Sequence, residues 1–123
     1  MIRNRKGGSN IKNFELQPLR IPAGWYIKYN MFSEYDPDTD GREYSYELCE
    51  DLLQLEHEYL MIDLGWYPQS DINGSYKLYL VDTSKAAPFY HPLEVFSSRL
   101  KKEIIYMIEY WTDWGFYGKY LHR

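Results

Sequence analysis

The chain has 123 residues, of which 45% are hydrophobic and 26% are charged, and this balance is typical of one ordinary globular domain. Its single cysteine, Cys49, excludes an internal disulfide framework. No apolar run approaches the roughly 18–20 residues that span a bilayer, and the start, MIRNRKGGSN, lacks the apolar stretch of a secretory signal peptide. We therefore expect a cytoplasmic protein that does not contact a membrane.

The net charge of −4 is divided unevenly along the chain. Residues 34–63 contain 11 of the 18 acidic residues and one base, Arg42, so this segment carries −10. The other residues contain 13 bases and 7 acids and carry +6. An acidic segment repels phosphates and attracts basic proteins or cations, so we expect a protein partner with a basic surface and no nucleic-acid partner. A solvated loop without a partner is the alternative.

The first part of the chain predicts an arm followed by two strands. Residues 1–13 are basic and lack periodicity, which indicates a flexible N-terminal arm before a single α+β domain over residues 14–123. The stretch FELQP predicts a short strand that Pro18 ends. The stretch WYIKYNM predicts a longer strand. Alternate residues on one side of that strand are Trp25, Ile27, Tyr29 and Met31.

The middle of the chain predicts a long connection and an antiparallel pair of strands. Residues 33–47 are acidic and rich in turn formers, whereas residues 48–57 fit a helix or a strand, because periodicity alone does not decide so short a run. The stretches YLMIDLGWYP and SYKLYLVD alternate in polarity and predict two strands joined by a loop of about seven residues. Asp63 lies on the polar side of the first, where we expect it to face solvent.

The longest predicted element is a helix from Pro92 to Trp114, with Gly115 just past its end. At 1.5 Å per residue it would be roughly 34 Å long. Its apolar stripe consists of Leu93, Phe96, Leu100, Ile104, Met107, Ile108, Trp111 and Trp114. The sequence therefore predicts an α+β fold with a mainly antiparallel sheet of about four to five strands and a long C-terminal helix packed on one face.

Residues 36–47, DPDTDGREYSYE, match the spacing of a calcium-binding EF-hand loop. The carboxylates of Asp36, Asp38, Asp40 and Glu47 would be the ligands. The surroundings do not fit, because an EF-hand needs a helix on each side of its loop, and the preceding segment is strand-like. A calcium-dependent binding module stays open as an alternative, beside a surface loop that uses its aspartates only as turn formers.

No catalytic pattern is visible in the sequence. The histidines are His57, His91 and His122. Cys49 with His57 as its base is one hypothesis, but a half-buried thiol is the simpler interpretation. The chain has no phosphate-binding loop, no paired-cysteine motif and no nucleophile elbow, so we expect no enzyme and no cofactor. An aromatic ligand site at Trp25 and Trp66 is a further hypothesis, which burial of both rings would exclude.

Four stretches occur in an order that resembles a known family: IPAGWYIKYNMF, EDLLQLE, IDLGWYP and the segment after HPLEVFSSR. Together they cover about residues 20–114 and resemble the small immunity proteins of bacterial polymorphic toxin systems, of the contact-dependent growth inhibition and rearrangement-hotspot type. The resemblance implies a toxin inhibitor that binds the C-terminal domain of a cognate toxin and covers its active site. It also favours a strand over residues 51–57, hairpinned to residues 60–67.

The expected toxin-binding surface comes from charge alone and not from the resemblance. Many toxins of this kind are nucleases or other enzymes with basic substrate grooves, and an acidic loop could imitate the phosphates of a nucleic acid. Carboxylates would speed association by electrostatic steering, and tyrosines would anchor the contact. The predicted toxin-binding residues are Asp36, Asp38, Asp40, Glu43, Tyr44, Tyr46, Glu47, Glu50 and Asp51.

Overall fold

The computed structural model describes residues 13–121, so the predicted arm, apart from Asn13, lies outside the described residues. One antiparallel sheet contains five strands in the order in which they follow along the chain. The strands are β1 (Tyr26–Asn30), β2 (Leu53–His57), β3 (Leu60–Tyr67), β4 (Ser75–Asp82) and β5 (Glu94–Ser98). Two helices follow, α1 (Lys101–Trp111) and α2 (Trp114–Tyr117). Short 3₁₀ turns lie at Arg42–Glu47, Pro88–Tyr90 and Gly118–Tyr120. The α+β class and the antiparallel sheet are confirmed.

The hydrophobic core lies between one face of the sheet and α1. Successive side chains of a strand point to opposite faces, so alternate residues of β3 and β4 line the core together. Trp66 is opposite Tyr76, and the two rings meet edge to face at 4.8 Å. Ile104, Ile108 and Trp111 are buried against this face at the spacing of one helical stripe. The core-facing members of β3 and β4 are Leu60, Ile62, Leu64, Trp66, Tyr76, Leu78 and Leu80.

The prediction of one long C-terminal helix is wrong. Its first part is strand β5, which pairs with β4 and places Phe96 opposite Leu78. The helix α1 has 11 residues, which corresponds to about 16 Å. It begins after Ser98, whose hydroxyl accepts a hydrogen bond from the Leu100 backbone N–H and donates one to Glu103. The apolar spacing of residues 93–100 fits a helix and also a strand. Hydrogen bonding to the backbone of β4 favours the strand.

Other predicted elements are confirmed or corrected individually. The ambiguous segment contains strand β2, as the resemblance implied, and the predicted seven-residue loop separates β3 from β4. The short strand predicted for FELQP is reduced to a single bridge between Leu16 and Ser33. In β1, a bulge lies between Ile27 and Tyr29, and both side chains are exposed. No helix in the described part of the chain is long and apolar enough to cross a membrane.

Trp25 and Trp66 belong to the core. Trp66 is fully buried, and its indole N–H donates to the backbone oxygen of Asp71 at 2.7 Å. Trp25 is 9% exposed and donates to the backbone oxygen of Thr112 at 3.1 Å. The hypothesis of an aromatic ligand site at these two residues is therefore wrong.

Candidate protein-binding surface

The acidic loop, residues 36–47, is held together by hydrogen bonds of its own. One carboxylate oxygen of Asp36 accepts the backbone N–H of Asp38 at 2.9 Å, and Asp40 accepts that of Asp36 at 2.8 Å. Glu47 accepts the hydroxyl of Ser33 at 2.7 Å. These are typical turn-forming bonds of aspartate and of short polar side chains. Several of the loop carboxylates therefore act as structural acceptors.

Two cations from the end of the sheet and the start of α1 compensate the charge of the loop. Arg99 pairs with Asp38 at 3.2 Å and also donates to the backbone oxygens of Ile72 and Gly74. Lys101 is 8% exposed and donates to the backbone oxygen of Ser33. Burial lowers the pKa of Lys101 to about 8, although nearby carboxylates of the loop oppose this shift. The loop thus has counter-charges inside the molecule.

This geometry does not favour the calcium alternative. The second half of the loop forms the 3₁₀ turn Arg42–Glu47, and the segment before the loop has no helix. Asp36, Asp40 and Glu47 each accept a hydrogen bond from the chain, and Asp38 pairs with Arg99. Between residues 13 and 121, no group of three or more histidine, cysteine, aspartate or glutamate side chains could hold a metal ion. The EF-hand spacing here belongs to a hydrogen-bonded turn.

The predicted toxin-binding residues divide into two groups. Tyr44 is half-buried because its ring packs on Phe14 at 5.3 Å, and Asp36, Asp40 and Glu47 are also half-buried. The exposed members are Asp38, Glu43, Tyr46, Glu50 and Asp51. Glu50 and Asp51 lie at the end of the connection, immediately before β2. The exposed acids therefore extend from the loop to the residues just before β2, a strand inside the sheet.

The sheet face opposite α1 is the second candidate surface, and we call it the open face. A row of side chains crosses all five strands on this face, as the strand register shows. The row consists of Tyr29, Gln54, Asp63, Tyr79 and Val95. Phe89, from the turn after β4, meets the Tyr79 ring edge to face at 6.0 Å. The open face is thus rich in aromatic side chains, which are common anchors of protein interfaces.

Asp63 lies in the middle of the open face and does not face solvent as predicted. The residue is only 7% exposed, and its carboxylate accepts a hydrogen bond from the Gln54 side-chain amide at 2.9 Å. Burial raises the pKa of Asp63, and the nearby Asp51 charge adds to this shift while the Gln54 bond opposes it. The polar position was visible in the sequence. The burial was not, because it depends on neighbours from other strands.

A cavity joins the acidic end of the connection to the open face. It measures about 370 Å³ and is lined by Lys28, Tyr29, Asp51 and Gln54. Tyr67 lies close to Glu50, with its hydroxyl 3.5 Å from the backbone oxygen of that residue. Burial raises the pKa of Tyr67, and the charges of Asp63 and Glu50 raise it further. Glu50, Asp51, Asp63 and Tyr67 therefore share one acidic and aromatic region.

The groups considered for catalysis do not come together. Cys49 precedes β2 and His57 ends it, so the strand separates them. Burial raises the pKa of Cys49, and the acids Glu47 and Asp51 add to the effect, which disfavours the reactive thiolate. The Nδ1 atom of His57 is hydrogen-bonded to the backbone oxygen of Gly24 at 2.8 Å, and the ring packs on Trp25. The hypothesis of a Cys49–His57 pair has no geometric support.

Comparison with known proteins adds no relative: no family model, no curated protein and no solved structure matches the chain. The functional interpretation therefore depends on the surface described above and on the resemblance of the short motifs.

Proposed function

We propose that this protein is an immunity protein that binds a cognate bacterial toxin domain and covers its active site. The motif order resembles that of such inhibitors, and the proposal requires only a specific binding surface. No chemistry and no cofactor are needed, because a bound protein can exclude the substrate. The protein would act in the cytoplasm, where a toxin domain reaches its target. The partner would be the C-terminal domain of the toxin, with a basic surface.

The observation that carries the proposal is the continuity of exposed acids with the aromatic open face. Glu43, Glu50 and Asp51 are exposed on the connection, and Asp51 lines the same cavity as Tyr29. Exposed acids accelerate the encounter with a basic partner by long-range attraction. Tyrosines then supply a large contact area with little loss of conformational entropy. This combination suits a partner whose own function requires a basic groove.

The first test is protection of growing bacteria. The C-terminal domain of the protein encoded beside the gene is the candidate toxin domain, and it is expressed from an inducible promoter, with and without this protein. Restored growth and co-purification of the two chains would support the proposal. Continued growth arrest, with no complex on size-exclusion chromatography, would contradict it.

A matched pair of charge reversals tests whether the proposed surface is the one used. Asp51→Lys changes an exposed acid beside the cavity, and Glu58→Lys makes the same charge change in the turn at the other end of β2. We expect Asp51→Lys to lower the association rate about tenfold at low salt, with a smaller loss at high salt. Glu58→Lys should change it little. Equal effects of both variants would show that only net charge matters.

A further inference from the structure

We propose that the open face binds one arginine side chain of a protein partner at a site we call the recess, which consists of Asp63 and the cavity lined by Tyr29 and by Gln54, its hydrogen-bond partner. The identity of that partner as a toxin domain rests on the proposed function. The recess itself is argued from the burial, hydrogen bonding and surroundings of Asp63.

The Asp63 carboxylate is buried with few partners. Its one hydrogen bond with the rest of residues 13–121 comes from Gln54, and no cation pairs with it there. A carboxylate has about four acceptor sites, and a buried charge without an ion-pair partner is costly. Asp63 is on β3, with its side chain on the face that α1 leaves uncovered. The Asp63 carboxylate can therefore accept further hydrogen bonds from a donor on another molecule.

The surroundings of Asp63 favour a planar cation. Tyr79 is directly opposite Asp63 on β4, and Tyr29 continues the row beyond Gln54. Aromatic faces attract cations, and arginine stacks on them while its flat guanidinium donates several hydrogen bonds. The cavity of about 370 Å³ beside Gln54 leaves room for the side chain. Gln54 could accept one of these hydrogen bonds through its amide oxygen while its amide nitrogen holds Asp63.

The charges of the region agree with a cationic occupant. Lys28 pairs with Glu56 at 3.4 Å, so it does not neutralise Asp63. Lys77 is the other base on this face, opposite Gly65, and the acids at or near the recess are Glu50, Asp51 and Asp63. These three acids outnumber the one remaining base, Lys77, so the region has a negative net charge. A nucleic acid would be repelled, and a metal ion lacks the three ligands it needs among the described side chains.

The test measures binding of N-acetyl-arginine amide to the isolated protein by NMR. We expect saturable shifts, in the millimolar range, at the Gln54 side-chain amide and the Tyr29, Tyr67 and Tyr79 rings. N-acetyl-norleucine amide, which has no charge, should leave these signals unchanged. Asp63→Asn keeps the shape of the side chain and should weaken arginine binding at least tenfold. Asp51→Asn, at the exposed rim of the cavity, should weaken it about twofold.

Each outcome separates this inference from the proposed function. Shifts that are absent, unsaturable or equal in Asp63→Asn would overturn the arginine site. In that case, binding of the neighbouring toxin domain could still establish the immunity function. Conversely, saturable binding that Asp63→Asn abolishes would support the site even if no neighbouring toxin were captured. A thermal melt of each variant confirms that the protein is folded.

Discussion

The acidic loop and the open face both carry carboxylates, but they use them differently. In the loop, the carboxylates of Asp36 and Glu47 accept hydrogen bonds from the same chain, and Asp38 forms an ion pair with Arg99. On the open face, Asp63 is more deeply buried and has the Gln54 amide as its hydrogen-bond donor. The number of acids in a segment therefore does not locate a binding site. A buried acid with unfilled acceptor capacity is the more informative signal.

The largest expected effect comes from removing a cation that compensates the negative charge of the acidic loop. Arg99→Ala removes two hydrogen bonds to the backbone oxygens of Ile72 and Gly74 and the ion pair with Asp38. We expect a loss of about 2–3 kcal/mol in the free energy of unfolding, measured by urea denaturation. Arg42→Ala, in the exposed 3₁₀ turn, is the control and should cost under about 0.5 kcal/mol. Similar losses would mean that Arg99 is not the residue that holds the loop.

The second prediction uses pH to test the buried cation under the loop. The pKa of Lys101 falls from 10.5 in the unfolded chain to about 8 in the folded one, chiefly because of burial. Between these values the unfolded state binds more protons, so this group makes the folded protein more stable as pH rises from 8 to about 10. Compared with Lys101→Met, the wild type should gain about 2 kcal/mol over that range.

The measurement for Lys101 is the difference in unfolding free energy between the two proteins at pH 8 and at pH 10. Taking the difference removes the contributions of the tyrosines, which both proteins share. A difference that stays constant with pH would show that Lys101 keeps its ordinary pKa in the fold.

The third prediction concerns Asp63 on the open face. Its effect on the pH dependence of stability has the opposite sign to that of Lys101. Burial raises the pKa of Asp63 above its ordinary value of 3.8. Between the two pKa values the folded state binds more protons, so stability is lost as pH rises through this window. Asp63→Asn removes that cost and should stabilise the protein by about 1 kcal/mol at pH 7, and by less at pH 3. Thermal melts at both pH values measure the difference. Destabilisation at pH 7 would mean that the charge is well solvated or paired.

The smallest expected effect is that of calcium on the loop. A ligand that binds only the folded state must raise its stability. Calcium at about 10 mM, above the dissociation constants of weak extracellular sites, should leave the melting temperature unchanged. The same melt with Asp38→Asn is the control. A rise of several degrees in the wild type that is lost in the variant would restore the calcium-binding hypothesis.

The sequence predicted the period-two strands well, because β3 and β4 alternate along their length and end at turn residues. It failed at β5, where the spacing of Leu93, Phe96 and Leu100 fits a helix but pairing with β4 decides the structure. Local patterns do not contain such tertiary pairing. The turn chemistry of the acidic loop was also predictable. Its compensation by Arg99 and Lys101 was not, because these residues lie more than fifty positions further along the chain.

The candidate site was only partly visible in the sequence. Glu50 and Asp51 were predicted from charge, and both lie at the proposed surface. Asp63 was expected to be solvated, because its position alternates with apolar neighbours. Its burial arises from side chains of β2 and β4 that the register brings together. Only the paired strands show that Gln54, Asp63 and Tyr79 form one row.

The most direct test of the central claim is a calorimetric titration of the neighbouring toxin domain into this protein. We predict one-to-one binding with a dissociation constant below about 1 µM. Asp63→Asn should weaken this binding more than Glu43→Lys in the loop, although we expect the Asn variant to be the more stable protein. Absence of binding at about 100 µM of either chain would contradict the immunity function. Tight binding that Glu43→Lys weakens more than Asp63→Asn would place the interface on the acidic loop instead of the open face.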